Sequence, residues 1–137
     1  MDTQIIKVLI DNQKTEVMVR YDLEKLTMTF SEAENFKKTY HGKDIYVCLA
    51  NIRADFPHIT FLCKGAKINV TPSRMASQMS AGLVAYELTL EKQATREDIV
   101  HIFDYEEHNL TNDPQEQINF YKIWLASLGA QDYENFN

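Results

Sequence analysis

Glycine and proline are scarce in this chain, four and three among 137 residues. The glycines stand alone at Gly42, Gly65, Gly82 and Gly129, so no Gly-rich loop for cradling phosphate can be assembled. Their scarcity also means long elements joined by tight connections. Cysteine is limited to Cys48 and Cys63, each inside an apolar stretch and without CxxC or Cys/His spacing. That excludes a disulfide framework and a zinc site, and both thiols are expected to serve as small buried hydrophobes. A Cys48–Cys63 bridge between neighbouring strands would need an oxidising compartment. No apolar run reaches transmembrane length, and Met1-Asp2-Thr3-Gln4 opens no secretory signal, so a soluble cytoplasmic protein is expected. There is neither a GxSxG elbow nor an HExxH pair, and no catalytic residue, metal ligand set or cofactor is assigned.

What is present reads as an ordinary globular chain: 45% hydrophobic and 25% charged residues, with seven Phe, seven Tyr and one Trp. A chain of this length suits one core, and it is expected to bury roughly two thirds of its unfolded surface without staples. Residues 1–130 are expected to form a single domain, with a polar, frayed tail at 131–137. Twenty acids against 14 bases give a formal charge of −6, which repels phosphate backbones and argues against direct nucleic-acid binding.

Periodicity supplies the elements. Ile6, Val8 and Ile10, then Val17, Val19 and Tyr21, alternate around Asp11-Asn12-Gln13 and predict a hairpin. Leu26, Met28 and Phe30 predict a third strand. Ser31 with Glu34 makes a capping box for a helix over about 32–40, stopped by Gly42 in a left-handed conformation. The continuous apolar run Ile45–Ala50 predicts a central strand, and 51–58 a loop. Residues 59–64 and 67–71 predict a second hairpin around Gly65. Pro72 and Ser73 introduce a short helix ending at Gly82, whose Met75 and Met79 at i, i+4 spacing are expected to fill core. Val84, Tyr86, Leu88 and Leu90 alternate as a strand, and the β-branched 98–105 segment predicts another. Asp113 at the N-cap, Pro114 at N1, Glu116 at N3 and Gly129 at the stop delimit a last helix. Ile118, Tyr121, Leu125 and Leu128, flanked by Phe120 and Trp124, give it a broad apolar face. The sum is an α+β fold: seven or eight strands in a largely antiparallel sheet, three helices, and the C-terminal helix packed on the sheet.

Charge is unevenly spread. From Glu97 to Tyr121 there are seven acids and no Lys or Arg, a formal −7 in a chain whose total is −6. Asp113 and Glu116 have a local task at the start of the last helix. Asp104, Glu106 and Glu107 have none that the local sequence shows, and Tyr105 sits among them. Asp104, Tyr105, Glu106, Glu107, Asp113 and Glu116 are therefore the candidate partner-binding residues, since dense charge steers a basic partner and an aromatic anchors it. A rival reading joins His101, Asp104 and His108 around a divalent ion in a small metal-dependent enzyme. It requires a helix, in which Asp104 and His108 would be i, i+4 neighbours. On a strand, His101 and Asp104 would face opposite sides.

With Pro72-Ser-Arg-Met-Ala-Ser-Gln-Met-Ser-Ala-Gly82 and His101-Ile-Phe-Asp-Tyr105, the chain resembles the small immunity proteins that bacteria encode beside toxin domains, including those of contact-dependent inhibition systems. The resemblance implies a cytoplasmic inhibitor that binds one cognate, basic toxin and blocks its active site or substrate surface. Toxins of this kind are often nucleases, whose basic surfaces an acidic stretch would imitate. No binding residue carries over by motif, so the candidate residues rest on charge alone. A non-catalytic adaptor subunit is the remaining alternative.

Overall fold

A computed structural model describes residues 1–33 and 36–129. Among them lie eight strands, in one five-stranded and one three-stranded antiparallel sheet, and three α-helices. The α+β reading and its element count hold. The expected tail at 131–137 and Glu34 of the expected capping box lie outside the described residues.

Strands β1 (Asp2–Ile10) and β2 (Gln13–Asp22) form the predicted hairpin, paired from Asp2↔Tyr21 to Ile10↔Gln13. Asp11 and Asn12 both adopt positive φ, the pattern of a type I′ turn, whose twist matches that of its strands. Even-numbered β1 residues (Ile6, Val8) and odd-numbered β2 residues (Val19, Tyr21) point into the core, while Ile5 and Met18 pair on the exposed face. Strand β3 (Thr27–Ala33) adds to β2, and β4 (Phe36–His41) adds to β3 with a register shift between Phe30 and Ala33. The helix expected over 32–40 is thus overturned. Strand pairing with β2 outweighs the capping preference of Ser31, and Gly42 has no positive φ and caps no helix here.

The expected central strand at Ile45–Ala50 is instead the first half of helix α1 (Ile45–Asp55), which also absorbs most of the expected loop. Asp44 caps it, its Oδ1 accepting from the Val47 amide at 2.8 Å. Ile45, Cys48, Leu49, Ile52 and Phe56 recur at three- and four-residue spacing and pack on the sheet with Phe30 and Phe61, at roughly 2 kcal/mol for each large side chain fully buried. A helix buried nearly all round has few polar positions to reveal its period, and so it mimics a central strand in sequence.

Strand β5 (Ile59–Phe61) pairs with β1 across about fifty residues, and β6 (Val70–Thr71) pairs with β7 (Val84–Glu87), so the hairpin expected over 59–71 does not form. A short 3-10 turn at Lys64–Ala66 carries the chain from one sheet to the other. Helix α2 (Arg74–Met79) starts at Ser73 as expected, but Met75 and Met79 are 72% and 82% exposed, not core. Strand β8 (Ile99–His101) completes the order β6-β7-β8. The last helix, α3 (Pro114–Leu128), has the predicted caps, yet its buried face is turned: Gln117, Trp124 and Leu125 are buried and Ile118 is exposed. Trp124 packs with Leu88 in a second small core, its Nε1 donating to Lys92 O at 2.9 Å.

Two expectations follow. Gly82 lies at φ +76°, and a Cβ there would stand 2.7 Å from Asp44 Cγ. Gly82→Ala should therefore cost about 2 kcal/mol, read as a lower urea midpoint with unchanged m-value; an unchanged midpoint would refute this account. Cys48 and Cys63 are free and buried, and burial pushes both thiols up to about 11. Neither should react with a disulfide reagent near pH 8 until the chain is unfolded, and rapid native labelling would contradict it.

Candidate functional site

Beyond β8, residues 102–110 run as an irregular segment laced to 62–68. Lys64 N donates to Asp104 O, Gly65 N to Ile102 O, Glu106 N to Leu62 O and Ile68 N to Asn109 O. Two isolated bridges, Cys63↔Tyr105 and Lys67↔Leu110, mark the same alignment. Alternation along this segment turns Ile102, Phe103 and Glu106 inward and leaves Asp104, Tyr105, Glu107 and His108 outward.

Glu106 fixes the segment. Only 8% exposed, its Oε1 accepts from Lys64 Nζ and Lys67 Nζ, each at 2.9 Å, and its Oε2 accepts from the amides of Glu107 and His108, each at 3.0 Å. Glu87 on β7 bridges the same two ammonium groups, at 2.8 Å to Lys64 and 3.4 Å to Lys67. Two cations and two anions balance in a partly buried site. Burial alone would raise the Glu106 carboxyl. The Lys67 and Lys64 ammoniums and the His108 amide outweigh it and hold the group down at about 2.

The outward residues form a different environment. Tyr105, 44% exposed, donates its hydroxyl to Glu107 Oε2 at 2.9 Å. Lys7 and Lys14 of the hairpin stand over its ring at 5.6 and 5.3 Å, and Lys14 reaches Glu107 at 3.7 Å. The Tyr105 hydroxyl, then Lys14, hold the Glu107 carboxyl below its ordinary value. Asp104 Oδ2 accepts from the His101 amide at 3.3 Å, and its own amide donates back to His101 O.

Of the six candidate residues, then, Asp104, Tyr105 and Glu107 share one exposed patch. Glu106 lies beneath them, with a structural task that the local sequence did not disclose. Asp113 and Glu116 stand apart on the start of α3, where Asp113 Oδ1 accepts from the Gln115 amide at 2.9 Å and Glu116 Oε1 from Thr111 Oγ1 at 2.5 Å. The turn after β8 brings Asp104 back to His101, which simple strand alternation did not foresee. His101 Nδ1, however, accepts from the Phe103 amide at 3.2 Å, and His108 lies in the irregular segment rather than on a helix. Among the described residues no group of three His, Cys, Asp or Glu side chains is placed to hold a metal ion. No described helix is long and apolar enough to cross a membrane.

Sequence reasoning missed Lys64, Lys67 and Glu87, the residues that set the patch. They lie 20 to 42 positions from their ion-pair partners, and no local pattern links them. No protein-family model matches the chain, and no curated protein matches it in sequence.

Because the folded-state value of Glu106 lies below its ordinary 4.5, the stabilisation it confers is complete above that pH and lost as pH falls from about 4.5 towards 2. Its loss is expected to cost about 2 kcal/mol, discounted for screening at the rim of the site. Glu106→Gln should remove that contribution at neutral pH and flatten the acid limb in urea titrations. A variant with the wild-type acid limb would show that the network does not govern it.

Proposed function

We propose that the chain is a non-catalytic binding protein, an inhibitor or immunity protein of the bacterial cytoplasm that neutralises a cognate basic toxin. One observation carries this reading: the Asp104–Tyr105–Glu107 patch is exposed yet prefixed in shape by the buried Glu106 network. A loop already ordered before encounter loses little conformational entropy on binding, so more of the contact energy appears as affinity. Tyr105 offers an aromatic anchor with few rotatable bonds, and its two acidic neighbours favour a cationic surface through charge steering. Asp113 and Glu116, capping or bonded at the start of α3, extend the negative field without needing to touch the partner.

The interface centres on residues 104–107, narrower than the 104–116 range that charge alone suggests. Glu106 contributes from below by holding the backbone. A toxin surface evolved for nucleic acid would meet this patch as it meets phosphate, through Lys and Arg.

The test uses the full chain as bait in native lysate at low and high salt, with the retained protein identified and its affinity then measured in purified form. A stoichiometric basic protein released by salt is expected. Asp104→Lys with Glu107→Lys should weaken it at least tenfold, about 1.4 kcal/mol, while leaving the urea midpoint unchanged. Co-expression should also rescue growth from that partner's toxicity. Equal affinity of the double variant at low salt would sink the interface, and a partner without toxicity would sink the inhibitor role.

A further inference from the structure

A groove of about 790 Å³ lies away from the 102–110 segment, walled by the start of α1, by the 71–78 stretch and by the first half of α3. Its apolar and aromatic lining comprises Tyr46, Val47, Ala50, Pro72, Ile118 and Tyr121. Ile118 is 47% exposed and lines this groove, whereas Trp124 and Leu125 of the same helix pack inward. An exposed aliphatic side chain facing a concave apolar wall is the arrangement that a ligand's hydrophobic body covers.

The polar groups of the groove divide sharply. Its one lining carboxylate, Asp44, is fully buried and engaged at both oxygens, Oδ1 with the Val47 amide and Oδ2 with Ser77 Oγ at 2.5 Å. Its two lining cations, Lys43 and Arg74, are exposed and have no carboxylate within ion-pair distance among the described residues. The Asp44–Ser77 hydrogen bond draws the start of α1 against α2. Lys43 adjoins Asp44 and Arg74 lies one turn before Ser77, so both cations are set at the same end. In a chain of net charge −6, the lining of this groove combines two cations that have no ion-pair partner among the described residues with an apolar and aromatic wall.

We propose that the groove binds an amphipathic organic anion: a flat apolar body against Ala50, Ile118 and Tyr121, and a carboxylate, sulfonate or phosphate head between Lys43 and Arg74. The volume falls in the range of small-ligand sites, and is small for a protein partner, whose interface spreads over a flatter area. The site is independent of the 102–110 patch, so it stands whether or not that patch binds a toxin.

The chain's single Trp makes the test direct. Trp124 is buried, and its ring lies 6.0 Å from that of Tyr121, so a fluorophore in the groove accepts its excitation energy. The probe is 8-anilinonaphthalene-1-sulfonate, titrated into the native protein and compared with uncharged N-phenyl-1-naphthylamine. Saturable 1:1 binding with energy transfer from Trp124 is expected. Lys43→Gln with Arg74→Gln should weaken the sulfonate probe roughly tenfold and leave the uncharged probe unchanged, and Ile118→Lys should weaken the uncharged probe. Urea midpoints of the variants report whether they fold. Non-saturable binding would overturn the proposal, as would sulfonate binding indifferent to Lys43→Gln/Arg74→Gln. Binding abolished instead by Met18→Lys would also overturn it, by placing the probe on the exposed face of the β1–β2 hairpin.

Discussion

A guanidinium removed from water must find acceptors for its N–H groups, and Arg53 ties the molecule together in finding them. Fully buried in the last turn of α1, it donates through Nη1 to Thr111 O and through Nη2 to Gln117 Oε1, at 2.6 Å for the latter. Gln117 passes the restraint on, its Nε2 donating to Gly65 O at 3.0 Å and Lys67 O at 2.8 Å. One side chain thus links α1, the turn before α3, α3 itself and the connection between the two sheets. Burial lowers the arginine's pKa, and no described carboxylate pairs with it directly. Its charge is offset by oriented dipoles: the two carbonyl-type acceptors and the C-terminal end of α1. Arg53 Nε is left without an acceptor among the described residues, and such a site tolerates little rearrangement.

Glu106 extends that frame to the surface. The Lys67 that it holds belongs to the same connection whose carbonyl Gln117 grips, so the buried arginine and the ion-pair network brace the 64–67 turn from opposite sides. Removing one member of such a network leaves an unpaired charge in a poorly solvated place, a larger loss than the pair's net contribution. The 102–110 segment has little secondary structure of its own and takes its shape from this bracing.

Legibility from sequence followed the range of the interactions. The β1–β2 hairpin and α3 were readable because turn residues, caps and periodicity lie within a few positions of each other. The same holds for the short helix after Ser73 and for strand β7. Helix α1 was not readable, because tertiary burial on nearly every side erased the polar face that distinguishes helix from strand. At 27–41 a local capping signal competed with a pairing set by β2, and the sheet won. The partner of β5 is β1, far upstream, and nothing within 59–71 specifies it. The candidate residues divide in the same way. Asp113 and Glu116 were assigned their helix-start roles from spacing alone. Glu106 looked like surface because its counter-ions, Lys64 and Lys67, approach only through the fold. Arg53 lies in a stretch whose local sequence reads as a loop, yet it is fully buried and bonded to Thr111 and Gln117.

The acidic stretch therefore holds two populations of charge with different thermodynamics. Glu106 is bound to two ammoniums and two amides in a site shielded from solvent, and it cannot be offered to a partner without dismantling the segment. Glu107 is half exposed and meets Lys14 at 3.7 Å, a contact of the kind that contributes about 0–1 kcal/mol and exchanges readily. On the proposed reading, an incoming cation would displace Lys14 at small cost, and the same exchange would free the Tyr105 ring from one of its two overlying lysines. Charge density in the sequence overstates the surface available at 104–107, where burial withdraws Glu106 and leaves Asp104, Tyr105 and Glu107 exposed. What the fold withdraws from the surface it uses to hold those three in place.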